Sequence, residues 1–174
     1  MNKRNIVLIG MPGVGKSTVG VILAKILGYK FLDTDLVIQH EEGKLLCEII
    51  SEQGVDGFIG VENRIISGIE AEKTVIATGG SAVYGREAMK KLSERGIIVY
   101  LRLNYNSLEK RLGDIQNRGV VIRRGQTLQE LFSERIPLYE KYADIVIDEN
   151  GCGIEKTISK LTEGLRDFGV KVAQ

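Results

Sequence analysis

Residues 5–18 read NIVLIGMPGVGKST, and this stretch decides the fold. Its first five residues form a mainly apolar run that predicts a buried strand, and the segment behind it, VGVILAKILG, has the apolar spacing of a helix. The turn between them matches G-x-x-x-x-G-K-[ST], the phosphate-binding loop that joins a strand to a helix. The residues that match this pattern are Gly10, Gly15, Lys16 and Ser17.

This loop has a defined phosphate chemistry. Its backbone N–H groups and the N-terminus of the following helix donate hydrogen bonds to phosphate oxygens, Lys16 reaches the outer phosphates, and the Ser17 hydroxyl is a ligand for Mg²⁺. We therefore predict a nucleoside triphosphate site. Its phosphate contacts are expected from Gly13, Val14, Gly15, Lys16, Ser17 and Thr18.

The rest of the chain alternates short β-branched runs with longer amphipathic segments. Strand candidates cover residues 5–9, 30–35, 73–80, 96–103 and 143–150, and helix candidates cover residues 16–27, 34–51, 55–71, 84–94, 105–112, 127–142 and 153–168. Apolar strands separated by helices favour a parallel sheet that is covered on both faces. We therefore predict one α/β domain over residues 1–174, with three α/β/α layers and a five-stranded parallel sheet.

Charge and cysteine content exclude several classes of function. The chain has 24 Lys and Arg against 23 Asp and Glu, so it has no bulk positive field for nucleic acid. The first apolar stretch is too short for a signal peptide or a membrane span, and we expect a cytoplasmic protein without a membrane partner. The two cysteines, Cys47 and Cys152, lie far apart and do not have the spacing of a zinc site.

Other motifs narrow the class of phosphate-loop protein. The chain lacks NKxD, the usual guanine-reading motif, and the third strand candidate ends in Thr78, Gly79 and Gly80 where many ATPases of this class place an acid. The second strand candidate ends in Asp33 and Asp35, which alternate and so leave a strand on the same face. These features favour a kinase that acts on a small molecule.

Four motifs in this order resemble the shikimate kinase family, which has a P-loop fold like that of the nucleoside-monophosphate kinases. They are GMPGVGKST at 10–18, FLDTD at 31–35, TGGSAV at 78–83 and RIPLY at 135–139, and the likeness covers almost the whole chain. The resemblance implies that the enzyme phosphorylates the 3-hydroxyl of shikimate with ATP and Mg²⁺, a step of aromatic amino-acid biosynthesis. It also implies a monomer.

The resemblance implies a role for each matching residue on the acceptor side. Asp33 would hold Mg²⁺ together with Ser17, and Asp35 would bind the acceptor hydroxyls and orient or deprotonate the one that attacks. Arg135 would pair with the acceptor carboxylate, which suits a planar guanidinium. The turn of Gly79, Gly80 and Ser81 would bring the backbone close to the acceptor. A separate helical region, about residues 34–64, would form the rest of the acceptor site.

The resemblance also implies a lid over about residues 112–126. Arg111 would cover the adenine, and Arg118 would move in with the mobile lid to stabilise charge on the transferred group. Lys16, Asp35 and Arg118 are therefore the expected catalytic residues.

The sequence departs from the family pattern at four places. Ile59 follows Phe58 where the family has an arginine that clamps the shikimate carboxylate, and Ser81 takes the place of a third glycine. Gly119 replaces the proline of an Arg-Pro pair in the lid. The segment IDENGCGIE at 147–155 has no proline, which leaves adenine packing to Ile154 or to backbone.

These departures leave two alternatives open. One is a kinase of another small hydroxylated acceptor, either a neutral polyol that suits Ile59 or a hydroxy acid bound by Arg135 alone. The other is a nucleotide-binding homologue that has lost the transfer chemistry. Release of ADP in the presence of shikimate, of another hydroxy compound or of neither distinguishes the three.

Overall fold

The computed structural model of the chain describes residues 5–112 and 120–172. Five parallel strands form one sheet in the order β2-β3-β1-β4-β5. This sheet confirms the predicted five-stranded parallel architecture. The strands are β1 (Asn5–Ile9), β2 (Lys30–Asp33), β3 (Thr74–Ala77), β4 (Gly96–Arg102) and β5 (Ile145–Asp148).

Over the described residues, six α-helices and one short 3₁₀ turn connect the strands, and a seventh helix follows β5. Every residue of β1 is buried, because helices cover both faces of the sheet at its centre. The helices are α1 (Lys16–Leu27), α2 (Thr34–Glu42), α3 (Leu46–Ser67), α4 (Arg86–Arg95), α5 (Tyr105–Leu112), α6 (Leu128–Tyr142) and α7 (Ile154–Asp167), and the 3₁₀ turn is Ala82–Tyr84. None of the helices within the described ranges combines the length and apolar character that crossing a membrane requires.

The apolar core has two parts. The larger part surrounds the sheet and includes most of β1 and β4 and half of β3. The smaller part joins α2 and α3 to the segment before α6. Its buried members are Ile38, Ile49, Phe58, Val61, Ile65 and Val121. The region of α2 and α3 therefore has a small core of its own beside the main one.

The structure divides the predicted helix over 34–51. Gly43 ends α2 with φ of 63°, a left-handed conformation that glycine adopts without steric cost, and α3 begins three residues later at Leu46. A single helix over 34–51 was therefore wrong. The predicted gap between 51 and 55 corresponds to Gly54, whose non-helical backbone interrupts α3.

The second strand is also shorter than predicted. It ends at Asp33, whose carboxylate Oδ1 accepts a hydrogen bond of 3.0 Å from the backbone N–H of Asp35 and so caps α2. Asp35 therefore lies in the first turn of a helix, and the prediction that both carboxylates leave one strand face was wrong. Helix geometry, not strand alternation, sets the direction of the Asp35 side chain.

The carboxyl ends of all five strands meet at one edge of the sheet, because the strands are parallel. The phosphate-binding loop follows β1 at this edge, Asp33 ends β2, and Thr78 follows β3. Ligands of open parallel sheets bind beyond this edge. The fold therefore gathers the predicted motifs in one place.

Candidate active site

A cavity of about 400 Å³ lies at this edge of the sheet. It joins the phosphate-binding loop to α2, α3, the turn after β3 and α6, and so it brings most of the predicted site residues together. The lining residues are Pro12, Gly13, Gly15, Lys16, Ser17, Thr18, Asp35, Leu46, Phe58, Thr78, Gly79, Gly80, Ser81, Leu112, Val121 and Arg135.

Lys16 is the cation of the phosphate-binding loop. Its ammonium is almost buried and donates hydrogen bonds to the carbonyls of Gly10 at 2.8 Å and Met11 at 2.9 Å. Burial lowers the pKa of Lys16 to about 8, and the nearby Asp35 carboxylate partly offsets that decrease. Lys16 is therefore mainly cationic at neutral pH and can neutralise charge on a phosphate chain.

Two oxygen groups beside the loop fit a magnesium ion. The Ser17 hydroxyl donates a hydrogen bond of 2.6 Å to Oδ2 of Asp33, so the two side chains are already adjacent. Among the described residues there is no cluster of three or more His, Cys, Asp and Glu side chains that could hold a metal. Mg²⁺ usually takes one or two protein oxygens and completes its shell with phosphates and water. The pair of Ser17 and Asp33 matches that requirement.

Asp35 is the carboxylate that lines the cavity. Burial and, to a smaller extent, repulsion from Asp33 raise the pKa of Asp35 to about 6, although attraction to Lys16 works in the opposite direction. A carboxylate with a pKa near the working pH is suited to receive a proton in a reaction. Asp35 therefore has both the position and the basicity of a general base.

The turn after β3 is crowded by side chains of the protein itself. A Cβ atom on Gly79 would lie 2.5 Å from Oε1 of Glu62 and 2.8 Å from Oδ1 of Asp35. A Cβ atom on Gly80 would lie 2.7 Å from the Pro12 ring. Both positions require glycine because of these contacts within the protein, independently of any ligand.

Arg135 is almost completely buried in α6 and yet presents one nitrogen without a partner. Its Nη2 donates a hydrogen bond of 2.6 Å to the Val121 carbonyl, its Nε donates one of 3.3 Å to the Tyr84 hydroxyl, and its guanidinium carbon lies 5.3 Å from the Tyr84 ring centroid. Its Nη1 has no hydrogen-bond partner among the described residues. Since an unsatisfied buried cation is costly, this nitrogen indicates the place of an anionic ligand group.

The RIPLY motif holds this arrangement together. The Tyr139 hydroxyl, one turn after Arg135, donates a hydrogen bond of 2.6 Å to the Gly80 carbonyl. This bond joins α6 to the turn after β3. The motif therefore positions the guanidinium and the glycine turn relative to each other.

A second cavity, of about 200 Å³, shares Gly15 and Thr18 with the first. Arg111 lines it and donates hydrogen bonds to the Val14 carbonyl at 3.2 Å and to Glu149 Oε2 at 3.3 Å. Burial raises the pKa of Glu149, and Arg111 opposes that increase. The full lining is Val14, Gly15, Thr18, Val19, Arg111, Glu149, Cys152, Ile154 and Thr157.

Some predicted residues are not placed in either cavity. Ile59 is half-buried in α3 and is absent from the described lining residues of both. Arg118 and Gly119 lie outside the described residues, as does residue range 113–117 of the predicted lid. The roles of Arg118 and Ile59 therefore stay predictions.

Sequence reasoning assigned no role in the site to two buried acids at this edge of the sheet, although Glu62 matches a glutamate of the family pattern around Phe58. Glu62 adjoins the turn at Gly79, and Glu149 holds Arg111 in the second cavity. Glu62 had a detectable signal, since it interrupts the apolar face of α3 one turn after the buried Phe58. Glu149 had no such signal in the sequence, because a single acid after a strand is common and does not indicate a site.

Comparisons with known proteins agree with this geometry. A family model described as shikimate kinase matches residues 12–166. A shikimate kinase of Thermodesulfovibrio yellowstonii is 41% identical over 161 residues, which are 91% of this chain and 92% of that protein. One of Francisella tularensis subsp. holarctica is 38% identical over 163 residues, which are 91% and 93%.

Solved structures support the same assignment. The shikimate kinase from Acinetobacter baumannii in complex with shikimate is similar with a TM-score of 0.85 and 31% identity, over 97% of this chain and 96% of that one. The enzyme from Aquifex aeolicus is similar with a TM-score of 0.80 and 29% identity, over 95% and 98%. These structures confirm the predicted P-loop fold of the nucleoside-monophosphate-kinase type. Because the family model and relatives more than 30% identical span most of its length, the chain belongs to the shikimate kinase family.

Proposed function

We propose that this protein transfers the γ-phosphoryl group of ATP to the 3-hydroxyl of shikimate, in the biosynthesis of aromatic amino acids. One observation carries the proposal: a single cavity has the phosphate-binding loop at one end and, at the other, a carboxylate and a buried guanidinium nitrogen without a partner. The first end suits a nucleoside triphosphate. The second suits a small molecule that has both hydroxyl groups and a carboxylate, as shikimate does.

Nucleotide binding combines the two cavities. The backbone of Gly13 to Thr18 and the Lys16 ammonium hold the phosphates, and the second cavity holds the base between Arg111 and Ile154. Glu149 keeps Arg111 in place. Ser17 and Asp33 hold Mg²⁺, which neutralises charge on the phosphates when it is bound.

Acceptor binding uses the residues at the other end of the cavity. The free Nη1 of Arg135 pairs with the shikimate carboxylate, and Asp35 accepts a hydrogen bond from the hydroxyl that attacks. Residues of the proposed acceptor region over 34–64, among them Leu46 and Phe58, supply apolar contacts. The acceptor is thus fixed at its two polar ends.

The transfer step needs correct position and charge more than covalent help. The acceptor oxygen forms a bond to the γ-phosphorus, the bond from that phosphorus to the β,γ-bridging oxygen breaks, and the hydroxyl proton passes to Asp35. Lys16 neutralises charge on the departing ADP. We propose in addition that Arg118, in the lid over 112–126, stabilises the charge on the transferred group.

The described part of the lid already contacts the acceptor side. The Val121 carbonyl accepts a hydrogen bond from Arg135, and Arg123 forms an ion pair of 2.7 Å with Asp56 of α3 and one of 3.6 Å with Glu134. These contacts are exposed apart from that of Arg135, so their individual contribution to stability is small. These contacts to α3 and α6 support the proposal that residues 120–126 belong to a lid over the acceptor.

The test is release of ADP by the purified protein with Mg-ATP, with and without millimolar shikimate. We expect strong stimulation by shikimate, and no release by Lys16→Ala at any shikimate concentration. Stimulation only by another polyol or hydroxy acid would assign a different acceptor. Binding of ATP without turnover on any acceptor would contradict a transfer function.

A further inference from the structure

Glu62 is a buried acid to which the proposed mechanism gives no role. Only 1% of its surface is exposed, and neither of its carboxyl oxygens has a hydrogen-bond partner among the described residues. Burial raises the pKa of Glu62 to about 7 and repulsion from Asp35 adds to this, whereas the Ser81 hydroxyl, Arg135 and Lys16 partly offset it. Glu62 therefore keeps its proton in much of the neutral range and is then a hydrogen-bond donor without an acceptor.

Ser81 lies between Glu62 and the cavity. Ser81 is one of the residues that line the cavity, it is almost fully buried, and its hydroxyl lies near enough to the Glu62 carboxyl to lower the pKa of that group, although no hydrogen bond joins the two in this conformation. The preceding residue, Gly80, lies close to Arg135, since a Cβ atom on Gly80 would be 3.0 Å from Nη1. The Ser81 hydroxyl and the free Arg135 nitrogen are therefore at the same end of the cavity.

We propose that Glu62 and Ser81 form a hydrogen-bond relay that completes the anion site begun by Arg135. Neutral Glu62 donates to the Ser81 oxygen, and the Ser81 hydroxyl then donates to the carboxylate of the acceptor. Ser81 is a residue that binds substrate, and Glu62 is a positioning residue that acts through it. This inference rests on the proposed function, since it takes the shikimate carboxylate as the anion.

The direction of the relay depends on the Glu62 proton. A hydroxyl has a single proton, so Ser81 can donate either to Glu62 or to the acceptor. When Glu62 is ionised it accepts the hydrogen bond that the Ser81 hydroxyl donates, and the lone pairs of Ser81 then face the acceptor carboxylate, which weakens binding. The acceptor affinity is therefore expected to fall as the pH rises through the pKa of Glu62.

The residue at position 59 adds no charge that would oppose the effect of burial on Glu62. Ile59 precedes Glu62 by three residues on α3, a spacing at which helical side chains are neighbours. An apolar neighbour cannot stabilise an ionised carboxylate. The cations that do reach Glu62, Arg135 and Lys16, are also needed by the acceptor and the nucleotide. A serine at position 81 and an isoleucine at position 59 are thus parts of one arrangement.

The first experiment compares the Michaelis constants of the wild-type enzyme and Ser81→Ala at pH 6.5. We expect the KM for shikimate to rise about tenfold, since one hydrogen bond to a charged group is lost, with kcat and the KM for ATP within about twofold. Ser67→Ala, at the C-terminal end of α3 and outside both cavities, is the matched control and should behave as wild type. An unchanged shikimate KM in Ser81→Ala would overturn the relay. Failure of the wild-type enzyme to use shikimate would instead overturn the proposed function.

The second experiment follows the shikimate KM of wild type, Glu62→Gln and Ser81→Ala from pH 6 to 8.5. We expect the shikimate KM of wild type, relative to that of Glu62→Gln, to rise about tenfold over this range, because the glutamine amide donates at every pH. Asp35, Lys16 and Arg135 are present in all three proteins, so the differences report on the relay. A wild-type slope retained in Glu62→Gln contradicts the proposal. If Glu62→Gln does not fold, the slope must still disappear in Ser81→Ala, and its persistence there overturns the relay.

Discussion

The backbone N–H of Asp35 donates a hydrogen bond of 3.0 Å to the carboxylate of Asp33. The other oxygen of the same carboxylate accepts one of 2.6 Å from the Ser17 hydroxyl. Asp33 therefore fixes both the start of α2 and the adjacent proposed magnesium ligand. Asp35 is left with its side chain free to face the cavity, and the two acids have separate tasks although only one residue separates them.

Asp35→Asn is expected to lose turnover and to keep nucleotide binding. The amide is nearly the same size, but it cannot receive the proton of the attacking hydroxyl, and general base catalysis contributes about 10²- to 10⁴-fold. We expect kcat to fall by roughly that factor, measured by ADP release, while the Kd for Mg-ATP from calorimetry stays within about threefold. Asp167→Asn, at the exposed end of α7, is the control. Turnover at the wild-type rate in Asp35→Asn would remove Asp35 from the mechanism.

Arg135→Lys is expected to weaken acceptor binding and not nucleotide binding. Lysine keeps the positive charge but cannot contact Val121, Tyr84 and the acceptor together, because it lacks the planar fork. We expect a rise of at least about tenfold in the KM for shikimate at an unchanged KM for ATP. Thermal unfolding should be measured in parallel, since the hydrogen bond to Val121 is also lost. Wild-type shikimate kinetics in Arg135→Lys would mean that the shikimate carboxylate does not bind at Arg135.

Ile59→Arg is expected to improve binding of shikimate. A guanidinium introduced at this position would reach further than the half-buried isoleucine and add a charge-assisted contact to the acceptor carboxylate, worth about one to two decades in KM. Gly60→Arg is a matched control, since it adds the same side chain at the next position, where a Cβ atom has open space around it. A shikimate KM that is unchanged or higher in Ile59→Arg, relative to Gly60→Arg, would contradict the expected clamp.

Glu62→Gln is expected to change the pH dependence of stability. The pKa of Glu62 is raised from 4.5 to about 7 in the folded state, so the folded protein binds the proton more tightly than the unfolded chain does. The free energy of unfolding of wild type therefore decreases between pH 4.5 and 7 by a Glu62 contribution of roughly 3 kcal/mol, and levels off above pH 7. Glutamine has no proton to lose, so this decrease is absent.

The measurement is urea denaturation of wild type and Glu62→Gln at pH 5 and pH 8. We expect the free energy of unfolding of Glu62→Gln, relative to wild type, to be higher at pH 8 than at pH 5. If the difference in free energy of unfolding between the two proteins is the same at pH 5 and pH 8, Glu62 has an ordinary pKa in the folded protein.

Much of the fold could be predicted because its signals are local. The run at 5–9 and the phosphate-binding loop behind it predict a buried strand and the helix α1, and both are found within a residue of the predicted bounds. The break at Gly43 could not be predicted with the same security, because a glycine within an apolar periodic segment is compatible with a continuous helix or with its end. Packing of α2 and α3 on their own small core decides between the two.

The sequence by itself determined the class of the protein: the order of loop, paired acids, glycine turn and RIPLY motif is local information, and each motif folds to the same edge of a parallel sheet. Only the tertiary structure decided which polar groups are left without partners. Hydrogen bonding and burial depend on contacts between residues far apart in the chain, such as Arg135 with Val121 and Glu62 with the turn at Gly79. The chemistry of the acceptor end therefore became visible only when those distant segments were packed together.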